Sequence, residues 1–182
     1  MEKTQLQEYV HTFEPALSKE AVTERIKQRL ESSGYDVVEV ETQKPWGAYL
    51  RIEGAQADAF VEEFFEGLSP TEARRGNPDA ELSPKILIVA PGERLSWQYH
   101  YRRAERWKFL TEGSYNKSMT DEPGDARRAV SGDVVQFDKS ERHRLNGLAS
   151  GYVIVAEIWQ HVDAENPSDE ADIVRLIDDY KR

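Results

Sequence analysis

Gly92-Glu93-Arg94-Leu95-Ser96-Trp97-Gln98-Tyr99-His100-Tyr101-Arg102-Arg103-Ala104-Glu105 is the stretch on which the reading of this 182-residue chain turns. On a strand, side chains two apart leave the same face, so Gln98 and His100 project together. A turn through Tyr101 to Ala104 returns the chain as a second strand. From it Glu105 can aim at the same space, with Trp107 and Phe109 continuing the inward side. Far downstream Gly132 opens another strand, and His143 follows after a loop. Two imidazoles, a carboxylate and an amide oxygen form a donor set that suits Zn²⁺, Fe²⁺, Mn²⁺ or Ni²⁺, and donor softness alone does not choose among them. Taken singly, each residue has an ordinary explanation: a histidine on a strand is commonly a hydrogen-bonded core or surface residue, and Gln98 and Glu105 could simply face water.

The surrounding pattern is strands divided by turns. Lys85 to Val89 is nearly all apolar and is bounded by Pro91-Gly92; Leu95 to Tyr99, Trp107 to Leu110, Val134 to Phe137 and Tyr152 to Trp159 follow at barrel-like spacing. Pro123-Gly124 marks a hairpin loop over 120–125. Upstream, Val22, Ile26 and Leu30 recur at i+4 between charged residues, which predicts a helix over 18–33 stopped by Gly34. Two strands, 36–40 and 48–52, flank Lys44-Pro45-Trp46-Gly47. A second helix runs over 55–66, and the polar stretch beyond it, with Pro70, Gly76 and Pro78, reads as a surface loop. The tail from Ser168 reads as a terminal helix: Asp169 and Glu170 suit a first turn, and Ile173, Val174, Leu176 and Ile177 supply an apolar stripe.

Composition narrows the function classes. With 24 basic against 34 acidic residues the net charge is −10, which argues against a nucleic-acid partner because no basic face is available to displace phosphate counterions. A few converging arginines could still set a local field for a small anion. There is no cysteine, so thiolate sites and disulfides are excluded. No apolar run approaches the length of a membrane span, and Met1-Glu2-Lys3-Thr4-Gln5 lacks the order of a secretion signal, so a cytoplasmic protein with no membrane partner is expected.

The spacing Gly92-x5-Gln98-x-His100-x4-Glu105, with Gly132 and then His143, is similar to the two-part cupin signature. Gln98 in the first position, Arg103-Ala104-Glu105 and Trp107 make the likeness more specific: the chain resembles the type II mannose-6-phosphate isomerase cupin, otherwise found behind a guanylyltransferase domain. Lys44-Pro45-Trp46-Gly47-Ala48-Tyr49, His143-Arg144-Leu145, Asp172-Ile173-Val174-Arg175 and Asp179-Tyr180-Lys181-Arg182 agree with it. The likeness runs from Lys44 to the carboxy terminus, apart from an insert from about Glu53 to Leu82. It departs at Arg102 and Arg106, where the family usually has histidine, and at Asp138-Lys139-Ser140, where the family has a Pro-x-Gly turn. No glycine-rich nucleotide loop accompanies it.

The resemblance implies a mainly β fold: a cupin jelly-roll β-barrel with N-terminal helices and a short C-terminal helix. Residues 1–182 would form one domain, with 1–43 an extension, 44–182 the barrel, and a helical insert near 55–67. It also implies one divalent metal ion on Gln98, His100, Glu105 and His143, zinc foremost, with manganese, iron, cobalt or nickel as alternatives. The leading activity is aldose–ketose isomerisation of a phosphorylated sugar, mannose 6-phosphate to fructose 6-phosphate. The alternatives are an Fe-dependent cupin oxygenase and a non-catalytic sugar- or metabolite-binding cupin. An isomerase needs a base to move a proton between C1 and C2 and cationic contacts for phosphate. Arg175 is the first choice for phosphate, against an ion pair with Asp172 or Asp179 on a helix surface. Arg103 is the next candidate, against a role in orienting Glu105. Lys108 and Glu157 are candidates for the base, although alternation with Trp107 and Phe109 places Lys108 outside. Trp46 and Arg102 are candidate substrate contacts, Trp46 against simple packing in a Pro-Trp-Gly turn. Exposed sheet edges point to a homodimer.

Overall fold

The computed structural model describes residues 3–14 and 16–181; Met1, Glu2 and Arg182, which entered the sequence reading, lie outside the described residues. The chain begins with α1 (Leu6–Val10) and α2 (Lys19–Ser32), the latter capped by the Ser18 hydroxyl on the Ala21 amide. After β1 (Val37–Glu41), β2 (Gly47–Ile52) and a 3-10 turn at Gly54–Gln56 come α3 (Ala57–Phe64) and α4 (Pro70–Ala73). The capping box of Ser69 and Glu72 starts α4 in the stretch read as loop. Nine strands follow: β3 (Leu82–Val89), β4 (Trp97–Tyr99), β5 (Arg103–Phe109), β6 (Gly113–Ser118), β7 (Arg127–Ala129), β8 (Val134–Phe137), β9 (Arg142–Asn146), β10 (Val153–His161) and β11 (Val174–Ile177).

Two sheets face one another. The larger has the order β1-β2-β3-β10-β5-β8, the smaller β11-β4-β9-β6-β7. Among the described residues no strand pairing joins them into a closed barrel, so the expected barrel is two apposed sheets. Strict alternation then sorts the larger sheet's side chains. Leu50, Ile52, Ile86, Ile88, Ile154, Ala156 and Ile158 turn outward and pack with Val22, Ile26, Leu30, Phe60 and Val61 of the helices in one apolar cluster. The intervening residues turn inward, where Leu87, Val89, Trp107, Phe109, Val153 and Val155 meet Phe137 and Leu145 in a second cluster.

The expected C-terminal helix is a strand. β11 pairs antiparallel with β4, setting Val174 opposite Tyr99 and Arg175 opposite Gln98. The physical reason is local. The Asp169 carboxylate accepts the amides of Ala171 and Asp172, while that of Asp172 accepts the amides of Tyr101 and Arg102, which ties the segment to the 101–102 turn instead of starting a helix. The β-branched residues that follow then fill the open edge of β4. One glycine sets the geometry of the early hairpin. Gly47 has φ +151°, and a Cβ there would lie 1.9 Å from the Ile88 carbonyl oxygen, so the turn holding Trp46 can approach β3 only without a side chain.

Candidate metal centre and cavity

β4 and β9 are neighbours, and their register sets Gln98 directly against His143. His143, expected after a loop, lies inside β9, and His100 follows immediately after β4. From the opposite sheet β5 sends in Glu105. His100 Nε2 lies 3.1 Å from Glu105 Oε1, and His143 Nε2 lies 3.2 Å from Glu105 Oε2. All three residues are at least 98 % buried.

The remaining hydrogen bonds fix the chemistry of these atoms. His100 Nδ1 lies 2.6 Å from the Asp172 carbonyl oxygen, and His143 Nδ1 lies 3.0 Å from that of Glu141. A carbonyl only accepts, so both Nδ1 atoms carry the proton and both Nε2 atoms present lone pairs to Glu105. Arg103 donates to Glu105 Oε1 at 2.8 Å and to His100 Nε2 at 3.2 Å, but among the described residues no hydrogen bond reaches His143 Nε2. Acceptors crowded together with a buried nitrogen lone pair unused are the signature of a place for a cation. The ligating atoms of His100, Glu105 and His143 all fall within 4.8 Å of one another, and this group could hold a metal ion. Burial pushes the His100 imidazole below its ordinary range. For Glu105 burial opposes ionisation, yet the positive charge of the His100 and His143 rings when protonated, and then that of Arg103, outweighs it and holds the carboxyl well below the usual range.

Gln98 sits at the edge of this group. Its Oε1 accepts from Ser96 Oγ at 2.6 Å, and its Nε2 is 3.5 Å from His100 Nε2. Half a turn of the terminal amide brings the oxygen to the centre and leaves the nitrogen to Ser96, whose hydroxyl can donate or accept.

Beside the group lies a cavity of about 80 Å³, lined by Gln98, Glu105, Trp46, Glu157, Lys85 and Arg175 among others. Arg175 is exposed and makes no hydrogen bond or ion pair among the described residues; the alternative ion pair with Asp172 or Asp179 does not form. Trp46 is only 6 % exposed and forms part of the wall. Arg103 is buried, stacked on Trp159 at 3.5 Å and bonded to Ser168, Asp169 and Asp172 as well as to Glu105, so it orients the carboxylate.

Two of the candidates lie away from the cavity. Lys108 lies on the outward side of β5, where it lines a depression with Gln7, Glu63 and Phe64, a sheet's thickness from the cavity. Arg102 is held by Asn166, the Pro167 carbonyl and Asp169, outside the cavity lining. Of the two candidate bases Glu157 is the one that faces the site. It is 4 % exposed, accepts from Trp107 Nε1 at 2.9 Å, and is pushed up to about 8 by burial and by the charge of Glu105.

Lys85 escaped the sequence reading. Its only signal was a lysine opening an otherwise apolar strand, and it stands opposite Glu157 on β10. Asp172 also escaped it as a support: its carbonyl fixes His100, and its carboxylate holds the turn between β4 and β5.

No protein-family model and no curated protein sequence matches the chain. Solved structures do. The capsular polysaccharide assembling protein CapF from Staphylococcus aureus aligns with 87 % of this chain and 38 % of its own, at a TM-score of 0.52 and 12 % identity. A mutant of Bacillus subtilis oxalate decarboxylase OxdC aligns with 78 % of this chain and 30 % of its own, at 0.51 and 13 %. A Cupin 2 conserved barrel domain protein from Salinispora arenicola CNS-205 aligns with 48 % of this chain and 69 % of its own, at 0.40 and 20 %. The chain has the cupin fold. At these identities the likeness extends to the fold alone, and the chain spans about a third of each of the two larger proteins. No helix among the described residues is long and apolar enough to cross a membrane.

Proposed function

We propose that this cupin is a metal-dependent aldose–ketose isomerase of a small phosphorylated sugar, with mannose 6-phosphate and fructose 6-phosphate the pair to try first. The observation that carries the reading is Glu157, a buried carboxyl set against Glu105 in a cavity whose wall also holds cationic Lys44, Lys85 and Arg175.

His100, Glu105 and His143 would hold the ion, with the Gln98 amide oxygen as fourth ligand and zinc the first choice for an all N/O set. Such an ion supplies Lewis-acid polarisation of a carbonyl. Everything else falls to the chain. Glu157, pushed up to about 8, has both protonation states within reach near neutrality, so it can take a proton from the hydroxyl-bearing carbon beside the carbonyl and return it to the carbonyl carbon, while the hydroxyl proton passes to the former carbonyl oxygen. The Trp107 Nε1–H bond anchors Oε1 and so orients the carboxyl for that transfer. Arg103 keeps Glu105 aligned, and the apolar walls of Trp46 and Leu87 limit water around the reacting carbons. Arg175 and Lys44 supply charge for the phosphate end.

The test is direct. Protein stripped of metal and reloaded with Zn²⁺, Mn²⁺, Co²⁺ or Fe²⁺ is offered mannose 6-phosphate with coupled detection of fructose 6-phosphate. Turnover that disappears on chelation and returns on reloading is expected. Measurable binding of the sugar phosphate without turnover under any metal would replace this reading with that of a metabolite-binding cupin.

A further inference from the structure

Lys85 poses a problem that the metal group does not solve. Its side chain is 3 % exposed, deep in the cavity wall, with the ammonium 3.4 Å from the Trp159 ring centre and 4.9 Å from that of Tyr49. Its one hydrogen-bond partner among the described residues is the Glu170 carboxylate. That carboxylate comes from the loop before β11 and is 62 % exposed, so a buried cation is matched by an acceptor that lies mostly in water. A pair of this kind is weak, because the exposed partner loses little by returning to solvent. The lysine is expensive to bury and needs an anion close by. It has three N–H donors and uses one.

The surroundings match a ligand's anion better than they match Glu170. Lys44 and Arg175 line the same cavity, and Arg175 makes no hydrogen bond or ion pair among the described residues. Lys85 stands in register with Glu157 across β3 and β10, and Glu157 in register with Trp107 across β10 and β5. The strand of Lys85 is therefore two strands, roughly 10 Å, from that of Glu105. A molecule with a carbonyl at one end and an anionic group at the other could span the two.

We infer that Lys85, flanked by Tyr49 and Trp159, is the anion-recognising subsite of the cavity for a phosphate- or carboxylate-bearing ligand, and that Glu170 holds the place of that anion until the ligand displaces it. The inference rests on the reading of this cavity as the substrate site, but it requires no turnover.

Calorimetric titration of the folded protein with inorganic phosphate and with mannose 6-phosphate tests it, using Glu170→Gln, Lys85→Met and the native chain. Removing the internal competitor in Glu170→Gln is expected to tighten both ligands about tenfold. Lys85→Met is expected to weaken both at least tenfold, with the two substitutions together resembling Lys85→Met alone. Neutral mannose should show none of these changes. Glu170 is exposed, and Glu170→Gln shown by circular dichroism to be folded keeps the test decisive even if Lys85→Met unfolds. Unchanged or weaker phosphate binding in Glu170→Gln would overturn the inference, and would do so whether or not the native protein isomerises the sugar. Tightening in Glu170→Gln without any isomerase activity would uphold the subsite and remove only the reaction assigned above.

Discussion

Ile86 and Ile88 of β3 turn toward the helices, while Lys85 and Leu87 on the same strand turn toward the smaller sheet. β10 divides in the same way: Ile154, Ala156 and Ile158 on one side, Glu157 and Trp159 on the other. The outward face is apolar along β3 and along β10 as far as Ile158, with Gln160 at the end of β10 and Arg106 and Lys108 of β5 as its polar margin, and α2 and α3 close it, so it has the composition of an ordinary core and contributes stability by burial. The inward face buries charge: Lys85, Arg103, Glu105 and Glu157 are each at most 4 % exposed. Buried charge is a poor way to stabilise a fold. One alternating strand thus carries stability on one face and chemistry on the other, and the helices let the second face dispense with the first face's task.

Substitutions on the two faces should therefore separate cleanly. The largest effect is expected from Glu157→Gln, which removes the proton-transferring group from the inward face. The isomerase rate constant kcat should fall about 10²–10⁴-fold with metal content unchanged. Phe60→Ala, on the helix that covers the outward face, should cost about 3–5 kcal/mol in urea unfolding while kcat per folded molecule stays constant. A loss of kcat in that variant would break the division. Asp172→Ala should leave the ligands in place but loosen the carbonyl that orients His100, weakening metal binding by about 10–100-fold in chelator competition.

A smaller effect concerns pH. His161 Nδ1 accepts the Ser168 amide and its Nε2 pairs with Ser83 Oγ, an arrangement for the neutral ring. Burial and then the charges of Arg103 and Lys85 push its pKa down to about 4 from an ordinary 6.5. The folded state thus disfavours the proton that the unfolded chain accepts. This contribution is fully present above pH 6.5 and is lost as pH falls toward 4, by roughly 1–2 kcal/mol. Urea unfolding of the native chain and of His161→Gln between pH 7 and 4 should show that portion of the slope in the first and not in the second.

The cluster of His100 and Glu105, with Gln98 at its edge, was legible because strand alternation and short turns are local: the three fall within eight residues, at the end of β4 and in β5. The helix 19–32 was legible for the same reason, since its i+4 apolar row needs no knowledge of what it packs against. The C-terminal segment was not. Ile173, Val174, Leu176 and Ile177 suit a helical stripe as well as a strand, and the deciding partner, the open edge of β4, lies more than seventy residues away. β6, β7 and β9 were missed because one face of β6 and of β9 is polar or charged, as at Ser114, Asn116, Arg142 and Arg144, and the core-facing side of the three strands carries only isolated apolar residues, Tyr115, Ala129 and Leu145. Lys85 was hidden by its neighbours: beside Ile86-Leu87-Ile88-Val89 it reads as a strand's soluble first residue. Only the pairing with Glu157 reveals an inward position. Lys108 shows the converse, a basic residue beside two site aromatics that alternation had already assigned to the other face.

One divalent ion between the two sheets is the central prediction for this chain. Chain loaded with Zn²⁺, desalted and assayed for bound metal should carry one equivalent, whereas His100→Ala and His143→Ala, each shown by circular dichroism to be folded, should retain almost none. Undiminished stoichiometry in both variants would contradict it.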